Sequence, residues 1–254
     1  MVIDRETPCF SPQGIRAMRH CWRDLLFLHW EIDPDEIQPR LPSGLTLDTY
    51  DGKAYVGLVA FSMPYLRLAR PISLPLEYGV HEVNVRTYVH REGRDPGVWF
   101  FSLDTPSVPA VIAARTSYKL PYHWSQIEIN RGEKGSLRFQ SRRIAPKPTP
   151  AGCDIEYTRD GDAKPAELGT LEHFLAERYI LYSKYRGALH QAYVNHVPYP
   201  LQTPCLIRLQ ENLTAAAGIT RPAAPPIAHY ARQVEVDIYG LRRLFVSQAG
   251  RDAA

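Results

Sequence analysis

The sequence is poor in cysteine and lacks paired-cysteine motifs. Its 254 residues include four cysteines, none of them in a C-x-x-C pair: Cys9, Cys21, Cys153 and Cys205. Scattered cysteines argue against structural disulfides and against a zinc site. The sequence also lacks the G-x-S-x-G, P-loop and G-x-G-x-x-G motifs. It therefore carries no signature of a serine hydrolase, a nucleoside triphosphatase or a dinucleotide-binding domain.

Long apolar runs and strong charge are missing as well. No run approaches the roughly 18 residues of a membrane span, and the first residues lack the pattern of a signal peptide. The formal net charge is only +3, and we interpret the most basic stretch, residues 138–143, as a solvated strand end rather than a phosphate site. We therefore expect a cytoplasmic protein that binds neither membranes nor nucleic acid.

Histidine is plentiful, but metal-binding spacing is not. None of the nine histidines lies in an H-x-H or H-E-x-x-H motif. Four of them could approach one another only through tertiary folding: His29, His81, His90 and His123. We expect no metal site and no cofactor.

The length and composition fit one domain with a full core, since 44% of the residues are hydrophobic. We expect a single domain over residues 1–254, with an N-terminal arm at 1–20, a barrel-like domain at 21–245 and a tail at 246–254. Short strand-like stretches recur between turn residues, and two or three helical stretches accompany them. This pattern predicts a mainly β (α+β) fold, an antiparallel barrel or sandwich with flanking helices.

Two stretches have helical spacing. Residues 106–117 follow the cap-then-proline signal Thr105-Pro106. Residues 171–182 place five large side chains on one stripe, which predicts a helix with a buried face: Leu171, Phe174, Leu175, Tyr179 and Tyr182.

Turn residues separate other stretches. Asp51-Gly52 predicts a tight turn that pairs residues 45–50 with residues 54–61 as a hairpin. Residues 64–79 contain three prolines and predict a long loop, which is a candidate lid over a binding site.

The clearest alternation in the chain lies in residues 82–90. One face of this predicted strand carries Val83, Val85, Thr87 and Val89, and the other carries Glu82, Asn84, Arg86, Tyr88 and His90. The polar face could line a ligand cavity inside a barrel, or it could face solvent. The sequence leaves both interpretations open.

Arg23 lies between Trp22 and Asp24 in an aromatic-rich predicted strand. Its guanidinium could bind a carboxylate with two hydrogen bonds in a partly dry pocket. The alternative is a structural ion pair with Asp24 or Glu82.

Nine segments spread over residues 15–245 carry a family resemblance. They are residues 22–30, 33–34, 41–45, 48–52, 82–88, 99–104, 114–115, 120–122 and 177–182. Together they resemble the YqjF-like family, uncharacterised bacterial proteins with the acetoacetate decarboxylase-like fold. The resemblance implies a barrel-like sheet of that type around a small-molecule pocket.

Acetoacetate decarboxylases hold a Schiff-base lysine and a second lysine directly after a proline. A neighbouring cation and an apolar pocket depress the pKa of the first lysine, which can then attack a ketone. Here Pro121 matches that proline, but Tyr122 and His123 stand where the lysines would be. Tyr122 cannot form an imine, and Lys119 is displaced along the chain. The resemblance therefore implies the pocket without Schiff-base decarboxylation.

The same resemblance matches Arg23 with the substrate-side arginine of those enzymes and Glu82 with their active-site glutamate. Our first hypothesis is acid–base chemistry on a small oxo acid or other carbonyl compound, with His123 as the proton carrier, Tyr122 as a hydrogen-bond donor and Glu82 as the third catalytic residue. The expected ligand-binding residues are Arg23, Asn84, Arg86, Tyr88, Arg115 and Lys119.

Two other hypotheses remain open. The same pocket could belong to a ligand-binding or sensing module without chemistry, because the nucleophile is missing. The chain could also be a structural protein with a filled barrel, in which case the polar face of residues 82–90 points to solvent. The sequence allows a homo-oligomer in each case.

Overall fold

The computed structural model describes residues 3–10, 12–69, 75–76, 80–132, 135–159 and 161–244. Residues 70–74 and 77–79 of the candidate lid lie outside the described residues, and so does the predicted tail at 246–254. Within the described residues, no helix is long and apolar enough to cross a membrane.

Strands dominate the chain, and the helices are short. The strands are β1 (Arg16–Ile32), β2 (Thr46–Leu47), β3 (Ala54–Met63), β4 (Leu66–Leu68), β5 (Pro75–Leu76), β6 (Val80–Arg91), β7 (Arg94–Thr105), β8 (Tyr122–Arg131), β9 (Leu137–Ala145), β10 (Gly152–Arg159), β11 (Ile180–Tyr185), β12 (Ala188–His196), β13 (Leu201–Gln202), β14 (Pro204–Glu211), β15 (Ile227–Tyr239) and β16 (Arg242–Arg243). The helices are α1 (Thr7–Phe10), α2 (Pro34–Ile37), α3 (Val108–Ser117), α4 (Leu171–Ala176) and α5 (Leu213–Ala216).

Seven strands close into a ring in the order β6, β7, β11, β12, β15, β1 and β3, after which β3 pairs with β6 again. Every pairing in this ring is antiparallel except β7 with β11, which is parallel and joins only Val98 to Leu181 and Trp99 to Tyr182. The predicted mainly β, barrel-like architecture is confirmed.

A second layer continues the sheet from β7 through β8, β9, β10 and β14. Apolar side chains of this layer, such as Phe139 and Ile155, share one core with the outward-facing Leu28, Val56 and Val85 of the ring. The outer faces of β1, β3 and β6 are therefore covered, and their opposite faces point into the ring. This arrangement decides where the polar residues of β6 lie.

Helix α3 forms where the cap-then-proline signal predicts it. Ser107 caps its first turn, since the Ser107 hydroxyl accepts a hydrogen bond from the Ala110 N–H at 3.3 Å. The helix carries the chain from β7 to the parallel strand β8, and so sets Tyr122 beside Leu103. Because β7 also pairs with β6, this crossover places Tyr122 close to β6.

The predicted helix over residues 171–182 is wrong in its second half. Helix α4 ends at Ala176, Glu177 is extended, and β11 begins at Ile180. The Glu177 carboxylate accepts hydrogen bonds from the Tyr179 hydroxyl at 2.5 Å and from the Tyr199 N–H at 2.8 Å. These contacts hold the chain extended where local helical spacing favours a helix.

The predicted tight turn at Asp51-Gly52 forms, since Tyr50 and Lys53 pair across it through two hydrogen bonds of 3.0 Å. The predicted pairing of residues 45–50 with 54–61 does not continue beyond that turn, so the hairpin is wrong. Strand β3 forms, but it pairs with β1 and β6, while the two-residue β2 pairs with the far end of β6. Pairing with long central strands buries most of β3 on both faces, which a two-stranded hairpin could not do.

The predicted N-terminal arm is structured along part of its length, because β1 already begins at Arg16. Before it, Arg5 donates two hydrogen bonds to Asp48, at 2.6 and 2.8 Å. Arg178 donates to the same carboxylate at 2.6 Å. The shared carboxylate fastens the start of the chain to the ring.

Candidate functional site inside the ring

The polar face of β6 points into the ring and is buried. Glu82, Asn84, Arg86 and Tyr88 are all at most 8% exposed. The interpretation that this face is solvated is therefore wrong. The last residue of the predicted face, His90, is only half-buried, and its ring accepts a hydrogen bond from the Gly93 N–H in the turn that follows.

Glu82 is a buried carboxyl that titrates near neutral pH. It is 4% exposed, and its two oxygens accept hydrogen bonds from the Tyr122 hydroxyl at 2.6 Å and from the Asn84 amide at 3.1 Å. Burial raises the pKa of Glu82 to about 7, although both hydrogen bonds favour its charged form. A carboxyl with this pKa can both accept and release a proton at neutral pH.

Tyr122 holds its proton and donates it to Glu82 in a hydrogen bond. Burial, together with the nearby Glu82 carboxylate, raises the pKa of Tyr122 well above its ordinary value. The hydroxyl is therefore neutral at any physiological pH, and it can serve as a hydrogen-bond donor to a second acceptor if Glu82 takes up a proton.

Arg86 is a buried cation whose donors are only partly used. Its side chain lies near the rings of Phe27 and Tyr88, with centroids 5.7 and 5.8 Å from the guanidinium carbon. Its Nε and Nη2 atoms have no hydrogen-bond partner among the residues that the structure describes. A buried guanidinium with free donors is costly, and a bound anion would satisfy it.

His196 adds an uncharged polar atom to the same interior. Its ring lies 4.2 Å from the ring of Tyr199 and 4.7 Å from that of Tyr179. Nδ1 lies 2.8 Å from the Val197 carbonyl oxygen, which requires a proton on Nδ1, and Nε2 has no hydrogen-bond partner within the described residues. Burial lowers the pKa of His196 to about 4. The ring is thus neutral, and its Nε2 is an acceptor.

The central site, as defined here, consists of Glu82, Asn84, Arg86, Tyr122 and His196. It combines a proton-carrying carboxyl, a phenol donor, a cation with free donors and two free acceptors, His196 Nε2 and Asn84 Oδ1. Sequence reasoning missed His196, because a lone histidine at the end of a strand has no motif to mark it.

Tyr88 belongs to the packing at one end of the site rather than to its polar surface. Its hydroxyl donates to the Leu175 carbonyl oxygen at 2.7 Å and lies 2.6 Å from His29 Nε2. Gly57 makes room for this pair, since a Cβ there would lie 3.0 Å from the His29 ring. Both hydrogen-bonding partners of Tyr88 are thus supplied by the protein.

Arg23 is not brought to the central site. It is exposed, and its Nε donates to the Gln233 side chain at 3.2 Å. Asp24 has a left-handed backbone (φ 54°) at the point where the register of β1 with β3 shifts. This bulge leaves Arg23 outside the ring, and Asp24 instead bonds Arg159 at 2.9 Å and Tyr230 at 2.6 Å.

His123 lies on the other face of β8 from Tyr122, because successive residues of a strand point to opposite sides. Its Nδ1 lies 3.0 Å from the Pro146 carbonyl oxygen. Burial, reinforced by the charge of Arg143, lowers the pKa of His123. His123 therefore does not lie beside Glu82. Of the two residues, Glu82 is the one whose pKa is shifted toward neutral pH.

Arg115 and Lys119 lie in an outer groove. Arg115 is exposed and donates to the Tyr122 carbonyl oxygen at 2.5 Å. Lys119 donates to the Thr116 carbonyl oxygen and lies 4.3 Å from the centre of the Tyr185 ring. Of the lysines that the structure describes, none is buried, so no described amine lies in the ring.

A metal ion would find few ligands here. Among the described residues, no group of three or more histidine, cysteine, aspartate or glutamate side chains could hold one. The free guanidinium donors of Arg86 are suited to an organic anion, because a carboxylate accepts hydrogen bonds from such a group.

Residues 19–235 match the family model DUF2071, described as an uncharacterized conserved protein. The chain belongs to this family. Among curated proteins, the uncharacterized protein YqjF of Bacillus subtilis (strain 168) is 35% identical over 232 residues, which cover 91% of this chain and 94% of YqjF. The resemblance inferred from the nine sequence segments is confirmed.

Solved structures show that this DUF2071 chain has the acetoacetate decarboxylase-like fold. Acetoacetate decarboxylase from Legionella pneumophila superposes with a TM-score of 0.62 at 13% identity, covering 93% of this chain and 94% of that one. The enduracididine biosynthesis enzyme MppR, complexed with pyruvate, superposes with a TM-score of 0.62 at 14% identity, covering 92% and 93%. At these identities the likeness concerns the fold alone.

Proposed function

We propose that the ring interior binds a small carboxylate, such as an oxo acid, and that Glu82 and Tyr122 move a proton on the bound molecule. The observation that carries this proposal is Arg86, a guanidinium 8% exposed with two nitrogen atoms that lack partners. A carboxylate is the planar anion that a guanidinium fork binds best.

The position of Arg86 relative to Glu82 supports the choice of an oxo acid. Both side chains project from the same face of β6, with Asn84 between them. A ligand whose carboxylate binds Arg86 therefore lies on the strand face that carries Glu82, whose carboxyl bonds Tyr122. The structure of the fold neighbour MppR was solved in complex with pyruvate, which is a small oxo acid.

The chemistry available at the carbonyl end is proton transfer. Charged Glu82 can take a proton from the carbon next to the carbonyl group, since its pKa of about 7 suits a base at neutral pH. The Tyr122 hydroxyl, released from Glu82 as that carboxyl becomes neutral, can donate to the enolate oxygen that develops. No imine is required, in keeping with the absence of a buried lysine among the described residues.

The test is a thermal-shift screen of pyruvate, other small oxo acids, simple carboxylates and their neutral amides. A ligand at 100 times its dissociation constant stabilises a protein by about 2.7 kcal/mol. We expect carboxylates, but not amides, to stabilise the wild type, and Arg86→Gln to abolish the effect. Arg23→Ala is the matched control, because it removes an exposed arginine and should leave binding intact.

Two results would count against the proposal. Binding that survives Arg86→Gln and disappears with Arg23→Ala would move the anion site to the outside of the ring. If no carboxylate stabilises the wild type, the interior is simply filled, as in a structural protein.

A binding or sensing role without turnover is the second candidate, and the absence of a described buried lysine favours it. The two candidates differ in exchange chemistry. In deuterated water, a catalytic Glu82 exchanges the protons next to the carbonyl of a bound oxo acid, and Glu82→Gln stops this exchange. A sensing module binds the same ligand without exchange.

A further inference from the structure

A second, open groove shares no lining residue with the central site. It has a volume of about 480 Å³, within the range of roughly 300–1,000 Å³ that is usual for small-molecule sites. It lies beside the short parallel seam where β7 pairs with β11 at only two positions, after which these two strands no longer pair with each other. The end of this pairing creates the space.

The lining of the groove is cationic. Of the eleven residues that line it, three are basic and none is acidic; the basic ones are Arg115, Lys119 and Lys184. None of the three forms an ion pair with the part of the chain that the structure describes. Uncompensated charges of one sign in a concave surface attract a ligand of the opposite sign.

The same lining is aromatic. Five of the eleven residues carry aromatic rings: Tyr182 is buried, Trp99, Phe100 and Phe101 are half-buried, and Tyr185 is 41% exposed. Exposed aromatic rings on a concave surface are suited to packing against a flat ligand. Ser183 adds a buried hydroxyl that has no hydrogen-bond partner in the described part of the chain.

We propose that this groove binds a small aromatic anion, with its flat ring against Trp99 and Tyr185 and its oxyanion at Lys119 and Lys184. The head group can be a carboxylate or a phosphate, since both accept from ammonium groups. The groove is a second site, distinct from the central site at Arg86, and its volume accommodates a single-ring ligand.

The experiment is a titration of ¹⁵N-labelled protein, followed by amide and indole chemical shifts. The probes are benzoate, phenyl phosphate, the neutral benzamide and inorganic phosphate. We expect benzoate or phenyl phosphate to shift the Trp99 indole and the amides of residues 183–185. The double variant Lys119→Gln/Lys184→Gln should weaken that binding about tenfold or more, because two charge contacts are lost. Lys164→Gln, an exposed lysine outside the groove, is the matched control and should change nothing.

The same titration separates this site from the central one. Groove binding should be unaffected by Arg86→Gln, and it should weaken with added salt because the cations are partly solvated. Shifts that vanish with Arg86→Gln, benzamide binding as tightly as benzoate, or inorganic phosphate binding as tightly as phenyl phosphate would each overturn the proposal. So would the absence of any shift up to about 10 mM of either aromatic anion, well above the range of specific ligands.

Discussion

Asp104→Ala is expected to lower the free energy of unfolding by about 3–5 kcal/mol, the usual cost of breaking a buried ion pair by removing one partner. Asp104 and Arg143 are each 1% exposed in their side chains. Two hydrogen bonds of 2.7 Å join them, and the Ser125 hydroxyl donates a third to Asp104 at 2.6 Å. Removing the carboxylate leaves the Arg143 charge buried and unpaired, and urea unfolding measures the loss.

Two controls isolate this effect. Asp237→Ala removes a carboxylate from the exposed pair with Arg19, whose bonds are as short, and should cost less than about 1 kcal/mol. The double variant Asp104→Leu/Arg143→Met removes both charges and should recover most of the stability. A cost for Asp104→Ala no larger than that for Asp237→Ala would contradict the buried pairing.

Glu82→Gln is expected to stabilise the protein by about 3 kcal/mol at about pH 8 and to have little effect at about pH 4. The pKa of Glu82 is raised from 4.5 to about 7 by burial, so the folded protein keeps a proton that the unfolded chain releases. Between these two values the unfolded chain binds fewer protons, and stability falls as pH rises. Glutamine cannot ionise, and this slope disappears.

Urea unfolding at several pH values measures the slope directly. Glu31→Gln is the matched control, because Glu31 is half exposed beside Lys53 and its change should be small at every pH. Tyr122→Phe removes a hydrogen bond that lowers the pKa of Glu82, so the sloping region should extend to higher pH. Equal pH profiles for wild type and Glu82→Gln would show that Glu82 has an ordinary pKa.

The sequence predicts which residues of a strand share a face, but it does not predict whether that face points to the interior or to solvent. Alternation in residues 82–90 correctly separates the two faces of β6. Which face is covered depends on closure of the ring through β7 and β11, residues about 80 positions apart that pair only at two points. No local pattern encodes such a contact.

The candidate site was predicted in part for the same reason. Glu82 and Tyr122 were expected near each other through the family resemblance, and a 2.6 Å hydrogen bond joins them. Arg23 was misplaced because a bulge at Asp24 reverses the alternation of β1, and aspartate in a left-handed conformation has no clear sequence signal. His123 follows Tyr122 directly, and strand geometry alone places the two on opposite faces.

The most direct test is the titration of the Glu82 side-chain carboxyl by ¹³C NMR, assigned by its loss in Glu82→Gln, with and without pyruvate. We predict an apparent pKa of about 7 in the free protein. We predict a further rise with pyruvate bound, because the ligand carboxylate neutralises Arg86 and adds a negative charge to the interior. An ordinary pKa near 4.5, or a pKa that ignores pyruvate at saturation, would contradict the proposal that Glu82 and Arg86 serve one ligand site.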